Sequence, residues 1–178
     1  MPPMSDYDLA SLHVMIVDDY QPMRHILRGI LREWGILKVG EAGHGREALE
    51  TLKNFPADIL ITDYRMFPID GLELAKSVRS GEAGCDPYLP ILLITAFTEM
   101  KTILEARDAG VNEFLAKPIS AKLVYYRIRS MIENPRPYVR AEEFFGPDRR
   151  RRSLPITGED RREVKQETKG LERQGERE

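Results

Sequence analysis

The chain is 178 residues long, with 27 Lys and Arg against 29 Asp and Glu, 42% hydrophobic residues and a single cysteine. That length suits one ordinary domain plus an appendage, and near-neutrality gives no global attraction for a polyanion, so any such signal must be local. One cysteine excludes an internal disulfide and a cysteine-rich metal site; with no basic-apolar leader and no run of about 18 apolar residues, the expected location is the cytoplasm.

After a short N-terminal extension (1–9), two hydrophobic periodicities alternate. The β-rich runs are "LHVMIV" (12–17), "LKVGEA" (37–42), "DILIT" (58–62), "PILLIT" (90–95) and "EFLAK" (113–117). The first helix is predicted to begin near Gln21, with Pro22 in its first turn, and to carry Met23, Ile26, Leu27, Ile30, Leu31 and Trp34 on one face until Gly35 stops it. Further helices are predicted near 45–54, 71–80, 98–109 and 120–133. Five strands alternating with five helices, two of the strands apolar almost throughout, predict an α/β fold with a doubly wound five-stranded parallel sheet.

In such sheets, ligands bind beyond the carboxyl ends of the strands. Four of the five strands end there in chemically capable residues: Asp18 and Asp19, Asp63, Thr95, and Lys117 followed by Pro118. Converging carboxylates repel and lose hydration, so they need compensation. A hard divalent cation such as Mg²⁺ supplies it, taking one or two carboxylates, waters and phosphate oxygens. A phosphoryl group arriving on one carboxylate would then have Mg²⁺, the Lys117 ammonium and the Thr95 hydroxyl for its oxygens. Asp63, alone at the end of a central strand, is the best acceptor, and its product would be an acyl phosphate.

These residues carry a family likeness. Through "VDDYQPMRHIL", "ITDYRM", "DGLEL", "LLITA" and "GVNEFLAKP", residues 10–134 resemble a response-regulator receiver domain, particularly the single-domain chemotaxis (CheY-like) type. The resemblance implies Asp63 as phosphoacceptor, Asp19 as a direct Mg²⁺ ligand assisted by Asp18, and the main-chain carbonyl of Arg65 as a further ligand. It implies Thr95 as the switch hydroxyl, Phe114 as the switch aromatic and Lys117 as the phosphoryl-binding lysine. The donor would be a histidine kinase or histidine phosphotransfer protein, and the output face the fourth helix, fifth strand and fifth helix. One departure stands out: "YRMFPIDG" places Phe67 where the family usually has proline, with Pro68 one residue later, and predicts a differently shaped loop.

From Pro135 the composition shifts. Residues 139–178 carry 11 basic and 10 acidic side chains and few large apolar ones, which predicts a disordered extension (135–178). Its run Arg149, Arg150, Arg151, Arg152 offers guanidinium forks to an anionic ligand. Phe144 and Phe145 offer an anchor for the domain or for a partner. The extension is too apolar-poor for a helix-turn-helix, so output by protein contact is expected rather than DNA binding.

The expected function is therefore a signalling switch whose only chemistry is its own phosphorylation and dephosphorylation. A rival reading makes the receiver fold a scaffold and the arginine tail a sensor for a cyclic dinucleotide or other anion, with phosphorylation secondary. A metal-dependent phosphatase is a third reading, weakened because Asp63 has no second Asp two residues on. His13, His25 and His44 show no metal-ligand spacing.

Overall fold

A computed structural model describes residues 9–81, 84–141 and 144–149, and the backbone of 166–167. Strands β1 (His13–Val17), β2 (Lys38–Ala42), β3 (Ile59–Asp63), β4 (Ile91–Thr95) and β5 (Glu113–Ala116) form one parallel sheet in the order β2-β1-β3-β4-β5. Helices α1 (Gln21–Glu33), α2 (Gly45–Leu52), α3 (Gly71–Ser80), α4 (Met100–Asp108) and α5 (Ala121–Glu133) connect and follow them. This is the doubly wound parallel sheet that the alternation of periodicities predicts, and its strand order makes it a flavodoxin-like (βα)5 fold. The five strands and five helices fall within a few residues of their expected limits.

Alternation along β1 divides the core into two layers. Met15 and Val17 pack with Leu60, Leu74, Val78 and Leu93 beneath α2 and α3, whereas Val14 and Ile16 pack with Leu27, Leu31, Ile61, Ile94 and Val124 beneath α1 and α5. All five residues of β3 and of β4 are buried, the pattern of strands covered on both faces. On the α1–α5 seam, the Trp34 and Tyr125 rings meet edge to face at 5.3 Å.

Helix limits follow local chemistry. Gly35 ends α1 at φ 78°, a conformation that favours glycine. Asp70 caps α3 by accepting from the Leu72 and Glu73 amides, while Glu73 reaches back to the Asp70 amide. His44 caps α2, its Nδ1 accepting from the Glu47 amide at 3.2 Å.

The expectation of disorder from Pro135 is corrected for the start of the extension. Tyr138–Ala141 (β6) and Phe144–Pro147 (β7) pair as an antiparallel hairpin, and the backbone of Gln166–Glu167 (β8) pairs with the other edge of β6. The hairpin adds apolar contacts with the domain to its own Tyr138–Phe145 ring contact at 5.7 Å. Tyr138 and Phe145 each lie 5.1 Å from the Tyr88 ring, and the Tyr138 hydroxyl donates to the Tyr88 carbonyl at 2.8 Å. At Gly146 the chain comes so near the domain that an added Cβ would stand 2.9 Å from the Gly110 Cα. Arg150, Arg151 and Arg152 lie outside the described residues.

Candidate phosphoryl site at the strand ends

The order β2-β1-β3 reverses the direction of winding at β1, and the crevice this leaves opens at the carboxyl ends of β1 and β3. Asp18 follows β1 and Asp63 ends β3; they are 1% and 8% exposed. Lys117, just past β5, reaches both: its Nζ lies 2.6 Å from Asp63 Oδ1 and 3.7 Å from Asp18 Oδ2. One ammonium thus bridges two nearly buried carboxylates.

The remaining oxygens are unequally served. Asp18 Oδ1 accepts the Tyr20 amide at 2.8 Å, and Asp63 Oδ2 accepts the Arg65 amide at 3.0 Å. Asp18 Oδ2 is buried and accepts no hydrogen bond. Burial, joined by the charges of Asp63 and Asp19, pushes the Asp18 carboxyl above its ordinary value against the Tyr20 amide and Lys117. For Lys117 burial pulls downward, but the hydrogen bonds and charges of Asp63 and Asp18 outweigh it and hold the ammonium above its ordinary value.

Asp19 is exposed, outside the pair that Lys117 bridges. Among the described residues no group of three or more His, Cys, Asp or Glu side chains is arranged to hold a metal ion. A cage of side chains alone is therefore absent from this arrangement. The donor set nevertheless suits Mg²⁺, which needs only one or two carboxylates and completes its shell with water and phosphate oxygens. The unserved Asp18 Oδ2, the adjacent Asp19 carboxylate and the Arg65 carbonyl are all hard oxygen donors.

The rim is formed by loops. Thr95 is 1% exposed, and its hydroxyl accepts from the Phe97 amide at 2.9 Å, turned to its own loop. The Arg65 guanidinium lies 4.0 Å above the centre of the Phe97 ring, and Tyr64 packs on the same ring at 5.9 Å. In the variant "YRMFPIDG" loop, Met66 is buried, Phe67 is 84% exposed and the Phe67–Pro68 peptide is cis. Phe114 sits on β5, partly buried, with the Arg127 guanidinium 5.9 Å from its ring.

Two supports escaped sequence reasoning. Arg24 of α1 donates to the Asp18 carbonyl at 2.7 Å and to Glu41 of β2 at 3.3 Å, so it fixes the main chain from which Asp18 projects. Gly71 lets α3 start against the end of β3: an added Cβ would stand 2.1 Å from the Asp63 carbonyl oxygen. The helical spacing of the first helix does not single out Arg24. Gly71 looked like an ordinary helix-start glycine, although its place after the cap Asp70 was a usable signal.

At the opposite end of the sheet, Arg79 is buried with its guanidinium donating to the carbonyls of Gly110, Pro87 and Leu89 and to Asn112 Oδ1, at 2.7 to 2.9 Å. Asn112 Oδ1 also accepts the Ile91 amide, and Asn112 Nδ2 donates to the Tyr138 hydroxyl. Arg149, the described member of the arginine run, pairs with Asp108 of α4 at 3.3 Å and lies 3.9 Å above the Phe144 ring.

Comparison with known proteins gives this geometry a context. Residues 14–129 match the family model described as the response regulator receiver domain. Chemotaxis protein CheY of Pseudomonas aeruginosa is 35% identical over 122 residues, 68% of this chain and 97% of that protein. Chemotaxis protein CheY-3 of Vibrio cholerae is also 35% identical, over 123 residues that make up 69% of this chain and 93% of that one. The solved structure of chemotaxis protein CheY4 of Vibrio cholerae superposes with a TM-score of 0.61 at 28% identity, covering 66% of this chain and 96% of that one. Among the described residues no helix is long and apolar enough to cross a membrane.

Proposed function

Because this chain belongs to the response regulator receiver domain family, we propose that it accepts a phosphoryl group on Asp63 from a histidine kinase or histidine phosphotransfer protein and passes the signal on by protein contact. The observation that supports this most directly is the Lys117 ammonium held between Asp63 and Asp18.

In the proposed reaction a carboxylate oxygen of Asp63 attacks the donor's phosphorus. The new O–P bond makes an acyl phosphate, the P–N bond to the donor imidazole breaks, and the nitrogen leaves with the bonding pair. Asp18, Asp19, Asp63 and the Arg65 carbonyl would hold Mg²⁺, which when bound neutralises charge on the transferred group. The Lys117 ammonium, beside both carboxylates, exchanges its contact with Asp63 for one with a phosphoryl oxygen. The Arg65 amide, already on Asp63 Oδ2, orients the carboxyl group before transfer. Thr95 would give up its Phe97 contact to donate to the phosphoryl. The space it vacates can admit Phe114, biasing a two-state surface on α4, β5 and α5.

The test is intact-mass measurement after incubation with Mg²⁺ and phosphoramidate. The wild type should gain one phosphoryl group, and Asp63→Asn or added chelator should abolish the gain. A folded wild type that gains nothing from this donor or from a phosphorylated histidine protein would sink the proposal.

A further inference from the structure

Away from the crevice, a groove of about 260 Å³ lies between α4, the start of β5 and the C-terminal hairpin. Ile103, Ala106, Val111 and Phe114 give it an apolar wall, and Arg107, Arg136 and Arg149 line it from three separate segments. We propose that this groove binds a small organic phosphate carrying one flat apolar ring.

Charge favours an anion there. Glu113 is the one carboxylate on the described lining, and Arg127 engages it at 3.0 Å. Just outside, the single carboxylate of Asp108 is shared by Arg107 at 3.2 Å and Arg149 at 3.3 Å, two cations on one anion. On the described lining, guanidinium groups thus outnumber carboxylates three to one.

The guanidinium groups are also placed in advance. Arg136 donates to the main-chain carbonyls of Asn112 and Asp148, and the Arg149 guanidinium lies 3.9 Å from the centre of the Phe144 ring. Planar forks held in this way match phosphate oxygens better than flexible ammonium groups would, with less ordering left to do on binding.

Size and polarity define the rest of the ligand. Small-molecule sites usually occupy roughly 300–1,000 Å³, so a groove just below that range has room for one ring and one phosphate and is too small for a cyclic dinucleotide. The apolar wall favours a flat hydrocarbon or heterocyclic body over free phosphate. The site belongs to the C-terminal extension as much as to the receiver, since Arg136 and Arg149 both lie outside the residues matched to the family.

The test titrates the full chain with phenyl phosphate, following amide signals by NMR and heat by calorimetry, with inorganic phosphate and benzyl alcohol as comparators. Saturable binding is expected, tighter for phenyl phosphate than for either comparator. Arg107→Gln and Arg149→Gln should each weaken it about ten-fold, the loss of one charge-assisted contact, with unchanged thermal unfolding. Asp63→Asn should bind as the wild type does, which separates this groove from the phosphoryl crevice. Absence of saturation, equal affinity in the arginine variants, or loss of binding in Asp63→Asn would overturn the proposal.

Discussion

The two ends of the sheet bury charge in opposite ways. At the base, the Arg79 guanidinium is held by three carbonyls and an amide oxygen, all neutral dipoles. At the crevice, Asp18 and Asp63 lie next to each other with one shared ammonium, and one carboxylate oxygen accepts no hydrogen bond. A buried charge satisfied by dipoles fixes structure, whereas buried charges left short of partners keep a capacity for new ones. The lesson is that burial of an ion says little until its partners are counted.

The largest effect is expected where satisfaction is complete. Arg79→Met removes the donor for four acceptors and should lower stability by about 3–5 kcal/mol, read from the urea midpoint. A loss below about 1 kcal/mol would break the comparison, since Arg79 would then be dispensable.

Next is Gly71→Ala, which sets a Cβ against the Asp63 carbonyl. The forced shift should cost about 1–3 kcal/mol and slow phosphoryl gain from phosphoramidate, because α3 and the end of β3 can no longer keep their spacing. Unchanged stability and rate would show that the crevice tolerates a displaced Asp63.

Asp18→Asn carries the opposite sign. The folded state raises the Asp18 pKa, so its charged form is the one that folding disfavours. In chelator at neutral pH, the neutral amide should therefore gain about 0.5–2 kcal/mol, measured by denaturant unfolding. Mg²⁺ should then stabilise the wild type more than the variant, through its preferential binding to the folded state. A destabilised Asp18→Asn protein in chelator would mean that the carboxylate is already satisfied.

The smallest effect on stability belongs to the rim. Arg65→Asn and Phe97→Ala should each change stability by no more than about 0.5 kcal/mol, yet shorten the life of the phosphorylated protein several-fold. The stacked guanidinium and ring, 4.0 Å apart, are expected to stand on the path by which water would attack Asp63. Equal decay rates by intact mass would remove that shielding role.

Much of this could be read from the residues themselves. The alternation of "DILIT" and "PILLIT" with amphipathic stretches predicted the five-stranded sheet, because periods of 2 and 3.6 are local properties of the chain. Asp18, Asp63 and Lys117 were legible as a group because a parallel sheet sends all its strand ends to one side. The hairpin was not legible. Composition counts apolar residues within a segment, and Tyr138 and Phe145 find their partner in Tyr88, 50 and 57 positions earlier in the chain. The Arg79 network escaped for the same reason, since its acceptors are backbone atoms brought in by tertiary folding. The Arg65 and Phe97 contact lay between these cases: Arg65 follows the acceptor by two residues in the sequence, but its stacking on Phe97 needed coordinates.

The edge-to-face meeting of Trp34 and Tyr125 makes the protein its own optical reporter. The sequence has one tryptophan, so all indole emission comes from the seam between α1 and α5. A partner that docks across that seam changes the surroundings of the only indole directly. Chemistry confined to the strand ends must propagate through the core before it alters the light. Comparing the emission change on adding a phosphoryl donor with that on adding a partner protein therefore separates the two events without any label.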